Sequence, residues 1–404
     1  MREKLSSPKK ILIISCFTMF VLYAIHFNGF GTNAQNIMAY FGVSESGNGL
    51  IMTTQAVGCI AVTVLLGLYG ERINKIYGIL LGLFVMGAAD IAIGAIPALT
   101  QPGAGYGLML SLSLVAGVGY ITIDLLMNGV VADVFPERKN TLLPIVHAFY
   151  GGGAMLAPIF VTKLIDPVMP ASFSKPYLII GLVSVAVSAA VLIAALRVTP
   201  ETPYADKLAL KNAAKQKPME VFKSRKAWLF LLACFFYLCF QTGISTWLPK
   251  YCAEHLSLDY AAAGLMVTLY FLGALIMRLL SPLVYKKLSV KSFYIAGLLA
   301  SMLVFLAFLL LPLPLPARQA LMLLMGLLQG ASVPALVILC CDAFPTRTAS
   351  ASSIVVMGVS IAALTAPVLL GKLIESGGYL TAMLIMTACI PASVIVLGLI
   401  KERD

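Results

Sequence analysis

Long apolar segments follow one another along almost the whole chain, separated by short stretches that contain Gly, Pro or charged residues. A helix needs about 20 apolar residues to cross a bilayer, whereas a strand of a membrane barrel needs only about 10 and alternates in polarity. The pattern therefore predicts an all-α membrane protein with twelve transmembrane helices. Their expected limits are 11–31, 47–69, 77–97, 107–133, 142–163, 177–197, 227–250, 261–284, 291–312, 318–341, 349–371 and 379–400.

The composition excludes several classes of protein. Of the 404 residues, 60% are hydrophobic and 11% are charged, against roughly 45–50% and about 25% in soluble domains. A soluble enzyme, a nucleic-acid-binding protein and a disordered chain are therefore excluded, and the lipid bilayer is the expected partner. The eight cysteines show no metal-binding spacing and are expected to be reduced thiols, so we expect neither a metal nor a cofactor.

The distribution of positive charge predicts the orientation of the spans. Of the 28 Lys and Arg residues, 22 fall in the terminal segments and loops on one side, and Arg278 alone lies inside a span. Loops rich in Lys and Arg face the cytoplasm. Both termini are therefore expected to be cytoplasmic, in a multi-pass protein of the plasma or inner membrane. The first apolar segment, from Ile11, is too long for a cleavable signal peptide and is interpreted as span one.

An internal duplication divides the chain. The segment Asp133-Val-Phe-Pro-Glu-Arg138 matches Asp342-Ala-Phe-Pro-Thr-Arg347. Gly58 and Gly117 of the first half match Gly273 and Gly326 of the second half. We therefore expect two homologous six-helix halves, 1–198 and 225–404, joined by a Lys-rich cytoplasmic linker over 199–224. Parallel repeats of this kind are typical of transporters that bind their substrate near the bilayer midplane.

The loop that follows span two resembles a family signature. Gly67-Leu-Tyr-Gly-Glu-Arg-Ile-Asn-Lys75 resembles the pattern G-x-x-x-D-R-x-G-R/K of the major facilitator superfamily, with Glu71 in place of Asp and Asn74 in place of the second Gly. The resemblance implies the major facilitator fold and a gating role for Glu71 and Arg72. Four residues at the cytoplasmic ends of spans four and ten are further gate candidates: Asp133, Arg138, Asp342 and Arg347.

Two further stretches, within 133–154 and 237–251, resemble the fucose- and glucose-permease branch of that superfamily. By this resemblance, Asp124 in span four corresponds to the proton-carrying acid of fucose-permease-like symporters. Burial favours the protonated form of a carboxyl group, so an acid in mid-span can load and release a proton. Asp124 and His147 are therefore the predicted proton-coupling residues, the alternative being structural hydrogen bonding. For Asp90 in span three, a structural hydrogen bond is favoured.

Other polar side chains inside the spans are candidates for substrate binding, because polar groups in hydrocarbon are costly and tend to face a cavity or a partner. The alternatives are hydrogen bonds between helices and, for Trp247, the interfacial aromatic belt. Arg278 is interpreted as a gate or snorkelling residue. The substrate-binding candidates are His26, Asn33, Asn36, Tyr120, Asn128, Gln241, Trp247 and Gln329.

These observations predict a secondary transporter that works by alternating access and is not an enzyme. The expected cavity, lined mainly by spans one, four, seven and ten, is rich in amides, hydroxyls and aromatic rings, which favours proton symport of a neutral polar solute such as a monosaccharide. The alternative is a proton-coupled exporter of drugs or amphipathic metabolites, and a second rival is a membrane sensor. The expected partners are a small-molecule substrate, protons and lipid, without nucleic acid, and the protein is expected to act as a monomer.

Overall fold

The computed structural model describes residues 7–166, 168–197 and 220–400. Within these residues, twelve helical segments are long and apolar enough to cross a membrane. The prediction of an all-α protein with twelve spans is therefore confirmed. Most of the predicted linker, 199–219, lies outside the described residues, and its last part contains the short helix Glu220–Lys223.

The first six spans are continuous helices whose limits lie close to those predicted. Span one is the exception, because its helix runs to Phe41 instead of ending near residue 31. Polar residues in its last turns are accommodated by hydrogen bonds to a neighbouring segment, so they do not end the helix. The helices are Ser7–Phe41, Glu45–Tyr69, Lys75–Leu99, Tyr106–Val134, Lys139–Thr162 and Ser174–Arg197.

Spans seven to nine are the helices Arg225–Lys250, Tyr260–Val284 and Val290–Leu310. Span ten consists of two helices, Leu315–Gln329 and Ser332–Ala343. Spans eleven and twelve are formed by Thr348–Thr387 and Cys389–Gly398, and the first of these helices is kinked at Gly378, where φ is +78°. A positive φ favours glycine, so this residue marks the turn between the last two spans.

Side-chain caps fix where several helices begin. The Asn74 side chain accepts hydrogen bonds from the backbone N–H groups of Ile76 and Tyr77 at the start of span three. Asp259 accepts one from Ala262 at the start of span eight. Such caps satisfy N–H groups that have no partner in the first turn of a helix, so a polar residue before each apolar segment sets its boundary.

Span ten breaks at Gly330 and Ala331, where Ala331 has φ −97° and ψ 15°. Pro334 follows four residues after Gly330 and has no backbone N–H, so the Gly330 carbonyl lacks its usual helical donor. The Nε group of Arg278, in span eight, donates to this carbonyl at 2.9 Å. The break is therefore a local discontinuity at which a side chain completes the backbone hydrogen bonding.

The described chain divides into two compact units. The first unit lies within Met1–Val134 and Phe149–Lys217, and the second within Phe135–Ala148 and Pro218–Asp404. In each unit the second and fourth spans pack closely through glycines. A Cβ atom on Gly117 would lie 2.2 Å from the Gln55 carbonyl oxygen, and one on Gly326 would lie 2.0 Å from that of Tyr270. These distances leave no room for a side chain.

Candidate functional site

In the first unit, three polar residues from different spans form a buried chain. His26 Nδ1 lies 3.0 Å from Asp90 Oδ2, and His26 Nε2 lies 2.9 Å from Gln55 Nε2. The side chains of His26 and Asp90 are 3% and 0% exposed. The other carboxyl oxygen, Asp90 Oδ1, has no hydrogen-bond partner among the described residues. His26, predicted as a substrate ligand, and Asp90, predicted as structural, are thus brought together.

A small cavity, with a volume of about 10 Å³, adjoins this chain. Its polar wall is formed by His26, Gln55, Ser113 and Tyr177, and the rest of the lining is apolar. Because Gln55 and His26 both line the cavity, a chain of polar side chains connects Asp90 to it.

Asp124 lies on the same helix as Tyr120 and only one turn further along. Its side chain is partly buried, and within the described residues no group donates a hydrogen bond to its carboxylate. Tyr120 accepts a hydrogen bond from the Cys59 thiol at 2.8 Å and stacks on Tyr23, with ring centroids 5.1 Å apart. Asp124 is within electrostatic reach of Tyr23. The predicted proton carrier therefore lies beside an aromatic cluster, without a cationic partner among the residues that the structure describes.

Three asparagines predicted to bind substrate have partners within the protein. Asn33 donates to the Phe173 carbonyl at 2.8 Å, and Asn36 donates to the Asp166 carbonyl at 2.8 Å. Asn128 donates to the backbone oxygen of Asp124 at 2.8 Å. These bonds favour packing roles, although the Asn33 side-chain oxygen is buried without a partner in the described chain. Their assignment to the substrate stays a prediction.

A second polar cluster lies within the second unit. Tyr237 donates to the backbone oxygen of Gln329 at 3.3 Å. The Gln329 side chain is fully buried, and neither of its amide atoms has a hydrogen-bond partner among the described residues. The buried hydroxyl of Tyr270 lies near Tyr237 and Gln241 but also has no hydrogen bond of normal geometry. This cluster joins the predicted residues Gln241 and Gln329, and the side-chain amide of Gln329 is left unpaired within the described residues.

Trp247 lies towards the end of span seven, beside Gly371. A Cβ atom on that glycine would lie 3.1 Å from Cζ2 of the indole, and the Lys250 ammonium group lies 5.6 Å from the ring centroid. The indole is therefore packed on a glycine and next to a cation. This arrangement is compatible with both interpretations of Trp247, as a ligand or as an interfacial anchor.

His147 has a positively charged neighbour in the second unit. Arg278 Nη1 donates to the His147 backbone oxygen at 3.2 Å. A proton on the imidazole would be added next to the fixed charge of the guanidinium group, which works against a proton-carrying role. The proton-coupling roles of His147 and Asp124 stay predictions. Unlike His147, Asp124 has no positively charged neighbour among the described residues.

A network of charges joins the loop after span two to the end of span four. Lys75 Nζ lies 2.6 Å from Glu71 Oε2 and 2.7 Å from Asp133 Oδ2, and its side chain is 2% exposed. Arg72 instead lies over the ring of Tyr69. Two of the predicted gate residues, Glu71 and Asp133, are therefore bridged by Lys75, the last residue of the loop signature, which was not among the predicted gate residues.

The other predicted gate residues belong to the second unit. Asp342 pairs with Lys139, and Arg347 pairs with Glu220. Arg138 lies in the short helical turn Pro136–Arg138. Glu71 and Asp133 therefore belong to an ion-pair network of the first unit, and Asp342 and Arg347 belong to ion pairs of the second unit.

Two features of the site escaped sequence reasoning. The pairing of His26 with Asp90 joins residues 64 positions apart, and no short motif signals it. The role of Arg278 had a readable signal, since the spacing of Gly330 and Pro334 predicts an unpaired carbonyl inside a span. Across 7–166, 168–197 and 220–400, no group of three or more His, Cys, Asp or Glu side chains is arranged to hold a metal ion.

The chain matches known proteins over most of its length. The family model of the Major Facilitator Superfamily matches residues 13–318 and 251–404. A Saccharomyces cerevisiae protein, "Bypass of stop codon protein 6", is 23% identical over 296 residues, which cover 67% of this chain and 56% of that relative. The chain thus spans just over half the length of this relative.

Solved structures share the fold. The structure of FucP in its outward conformation has a TM-score of 0.78 and 19% identity, covering 96% of this chain and 97% of that chain. A second FucP structure is described as that of the E. coli fucose:proton symporter. A human organic anion transporter has a TM-score of 0.73 and 14% identity, covering 97% of this chain and 100% of that chain. At these identities the likeness shows the fold, and it is the family model that decides membership. The chain belongs to the Major Facilitator Superfamily, whose members are transporters and not enzymes.

Proposed function

We propose that the protein is a proton-coupled symporter of a small neutral polar solute, with a monosaccharide as the preferred class. In this proposal it works by alternating access as a monomer in the plasma or inner membrane, with both termini in the cytoplasm. Asp124 carries the proton. The likeness of the fold to that of a fucose:proton symporter supports the substrate class. The resemblance of the sequence to fucose-permease-like symporters supports Asp124 as the proton carrier.

The main support for a neutral polar substrate is a set of uncharged polar groups in the second unit that have no normal hydrogen bond within the described residues. Within the described residues, both amide atoms of Gln329 are buried without partners, and the buried hydroxyl of Tyr270 has no hydrogen bond of normal geometry. Leaving such groups unpaired costs free energy, and a polyhydroxylated solute can both donate to them and accept from them. An apolar solute would leave them unpaired.

Charge points the same way. Arg278, the only Lys or Arg predicted to lie in the interior of a span and not at its end, donates to the backbone carbonyls of Gly330 and His147. A guanidinium group engaged with the backbone has fewer donors to offer an anion. This favours a neutral solute over an anionic one.

The test is uptake into liposomes by the purified protein. Labelled monosaccharides are screened with and without an inward proton gradient, and wild type is compared with Asp124→Asn. We expect gradient-driven accumulation by wild type, and loss of accumulation with retained exchange in the variant, because a neutral amide cannot release a proton. The exposed acid Glu375 provides the matched control, Glu375→Gln, which should accumulate the sugar normally.

A second arm addresses the polar cluster. Gln329→Leu removes two unpaired polar atoms, so we expect unchanged or higher thermal stability together with loss of sugar uptake. Accumulation unchanged in Asp124→Asn would remove this acid from coupling. No uptake of any sugar by folded protein would overturn the substrate class and favour the exporter.

A further inference from the structure

The buried chain of Asp90, His26 and Gln55 has a geometry that depends on its number of protons. Each ring nitrogen of His26 faces one partner, Asp90 at Nδ1 and Gln55 at Nε2. Asp90 is fully buried, and its Oδ1 atom has no partner among the described residues. A carboxylate with one oxygen unsatisfied in an apolar interior is unusual, which indicates that this group is more than a packing contact.

The hydrogen-bond roles at Nε2 follow from proton bookkeeping. When the pair of Asp90 and His26 carries a net charge of −1, Nδ1–H donates to the carboxylate and the bare Nε2 accepts from the Gln55 amide N–H group. When the pair takes up one proton, its net charge is zero. A proton on the unpaired Oδ1 would leave Nε2 bare. If the ring takes up the added proton, however, Nε2 carries a hydrogen, whether the shared proton between Nδ1 and Oδ2 resides on the ring or on the carboxyl group. Gln55 must then present its amide oxygen.

We propose that Asp90 and His26 together form a second proton-binding site, and that the amide orientation of Gln55 in span two reports whether a proton is bound. The reaction takes one proton from the aqueous phase, forms one N–H or O–H bond, and rotates the Gln55 amide by half a turn. In this proposal the proton reaches Nε2 from the side of the cavity that His26 and Gln55 line. The two states differ by one unit of charge in a medium of low dielectric, where that difference matters most.

Several titratable groups surround the pair. The rings of Tyr120 and Tyr177 lie 6.0 Å and 6.4 Å from that of His26, and Tyr177 is within electrostatic reach of Asp90. Beyond Tyr120 lie the Cys59 thiol and, one helical turn along span four, Asp124. Tyrosine and cysteine are neutral near pH 7 when unperturbed, so the neighbouring acid is Asp124, on the far side of Tyr120.

This second proton-binding site would contribute to transport only if the protein is proton-coupled, as proposed above. The binding of the proton itself needs no substrate. It can therefore be tested by a measurement that is independent of uptake, so that the two proposals can fail separately.

The test uses nuclear magnetic resonance of ¹⁵N-histidine-labelled protein in liposomes without substrate. The chain has three histidines, so the ring signals of His26 are assigned by their loss in His26→Gln. We expect Nε2 of His26 to change from bare to protonated as the pH is lowered, and Asp90→Asn to abolish or displace this transition. Gln55→Glu should keep Nε2 protonated to a higher pH, because a carboxylate only accepts. Ser111→Ala, on the exposed face of span four and outside this cavity, should leave the transition unchanged.

One result overturns the proposal. If Nε2 of His26 keeps a single protonation form across the range in which the protein stays folded, and Gln55→Glu does not alter it, then the chain is a static packing contact. If that happens while Asp124→Asn still abolishes coupled uptake, the proposed function stands without this second site. A transition at His26 that persists in Asp124→Asn supports two separate sites.

Discussion

Arg278 shows how a single side chain can serve the backbone of another span. Pro334 cannot donate to the Gly330 carbonyl, and that group would be costly if left unpaired inside a membrane. Arg278 Nε supplies the missing donor at 2.9 Å. The sequence suggested a gate or a snorkelling side chain, and the contact explains instead why a charged residue persists within span eight.

This explanation predicts a double-mutant cycle. Arg278→Met should lower stability by about 1–3 kcal/mol, the cost of leaving a buried polar group without its partner. In a Pro334→Ala background, the substituted residue has a backbone N–H that can donate to the Gly330 carbonyl, so Arg278→Met should cost about half as much or less. The measurement is the free energy of unfolding, or the melting temperature, in detergent.

The matched control is Arg225→Met, because Arg225 is exposed at the start of span seven and should change stability by less than about 0.5 kcal/mol. Equal costs of Arg278→Met in both backgrounds would show that Arg278 stabilises the protein through other contacts.

Individual site residues were predictable to different degrees. An acid in the middle of span four is visible in the sequence because charged residues in hydrocarbon are rare. The pairing of His26 with Asp90 was not visible, because it depends on the rotation of spans one and three about their own axes, which continuous apolar sequence does not encode. The same limit left Asn33 and Asn36 as substrate candidates, although both donate to backbone carbonyls of the segment between spans five and six.

At the scale of helices, glycines set the distance between the second and fourth spans of each unit. Gly58 and Gly117 face backbone atoms of Leu114 and Gln55. Their counterparts Gly273 and Gly326 face backbone atoms of Leu323 and Tyr270. Small residues allow helices to approach closely where lipid supplies no hydrophobic drive. The duplication read from the sequence therefore has a physical counterpart in the same helix contact made twice.

This contact predicts a contrast between glycines of one helix. Gly117→Ala should destabilise the protein by several kcal/mol, since its Cβ would lie 2.2 Å from a backbone oxygen and the helices must separate. Gly107→Ala, in the first turn of the same span, meets no atom within 4 Å. It should leave stability unchanged or raise it by up to about 1 kcal/mol.

Thermal denaturation of the two variants in one detergent compares them directly, and Gly264→Ala, also free of neighbours within 4 Å, repeats the control in span eight. Similar melting temperatures for Gly117→Ala and Gly107→Ala would contradict the close contact.

The helices themselves were largely predictable, because long apolar segments have no other stable arrangement in a bilayer. Their ends were less so. Span one extends to Phe41 because amide side chains find partners, and span ten breaks because a glycine and a proline are correctly spaced for it. Both deviations arise from hydrogen bonds, which a count of apolar residues does not include.

For the whole molecule, the arrangement of charge predicts a single orientation. The exposed residues Lys286 and Lys163 lie in loops that the positive-charge rule assigns to opposite sides of the membrane. In intact cells, an impermeant maleimide should therefore label Lys163→Cys but reach Lys286→Cys only after permeabilisation.

Labelling of the native cysteines should be low, because seven of the eight are buried. The unsubstituted protein measures this background labelling. The reverse labelling pattern would invert the orientation. Labelling of both variants in intact cells would contradict a single topology.

Gln55 and Tyr270 occupy matching places in the duplicated halves, and in each residue the main chain and the side chain have separate roles. Their main-chain oxygens receive the close approach of Gly117 and Gly326, while one side chain meets an imidazole and the other joins a cluster of phenol and amide groups. Since the scaffold depends only on the main chain here, the side chains are free to be exchanged. Mutation can therefore give the two halves different side-chain chemistries without disturbing the helix contact that both share.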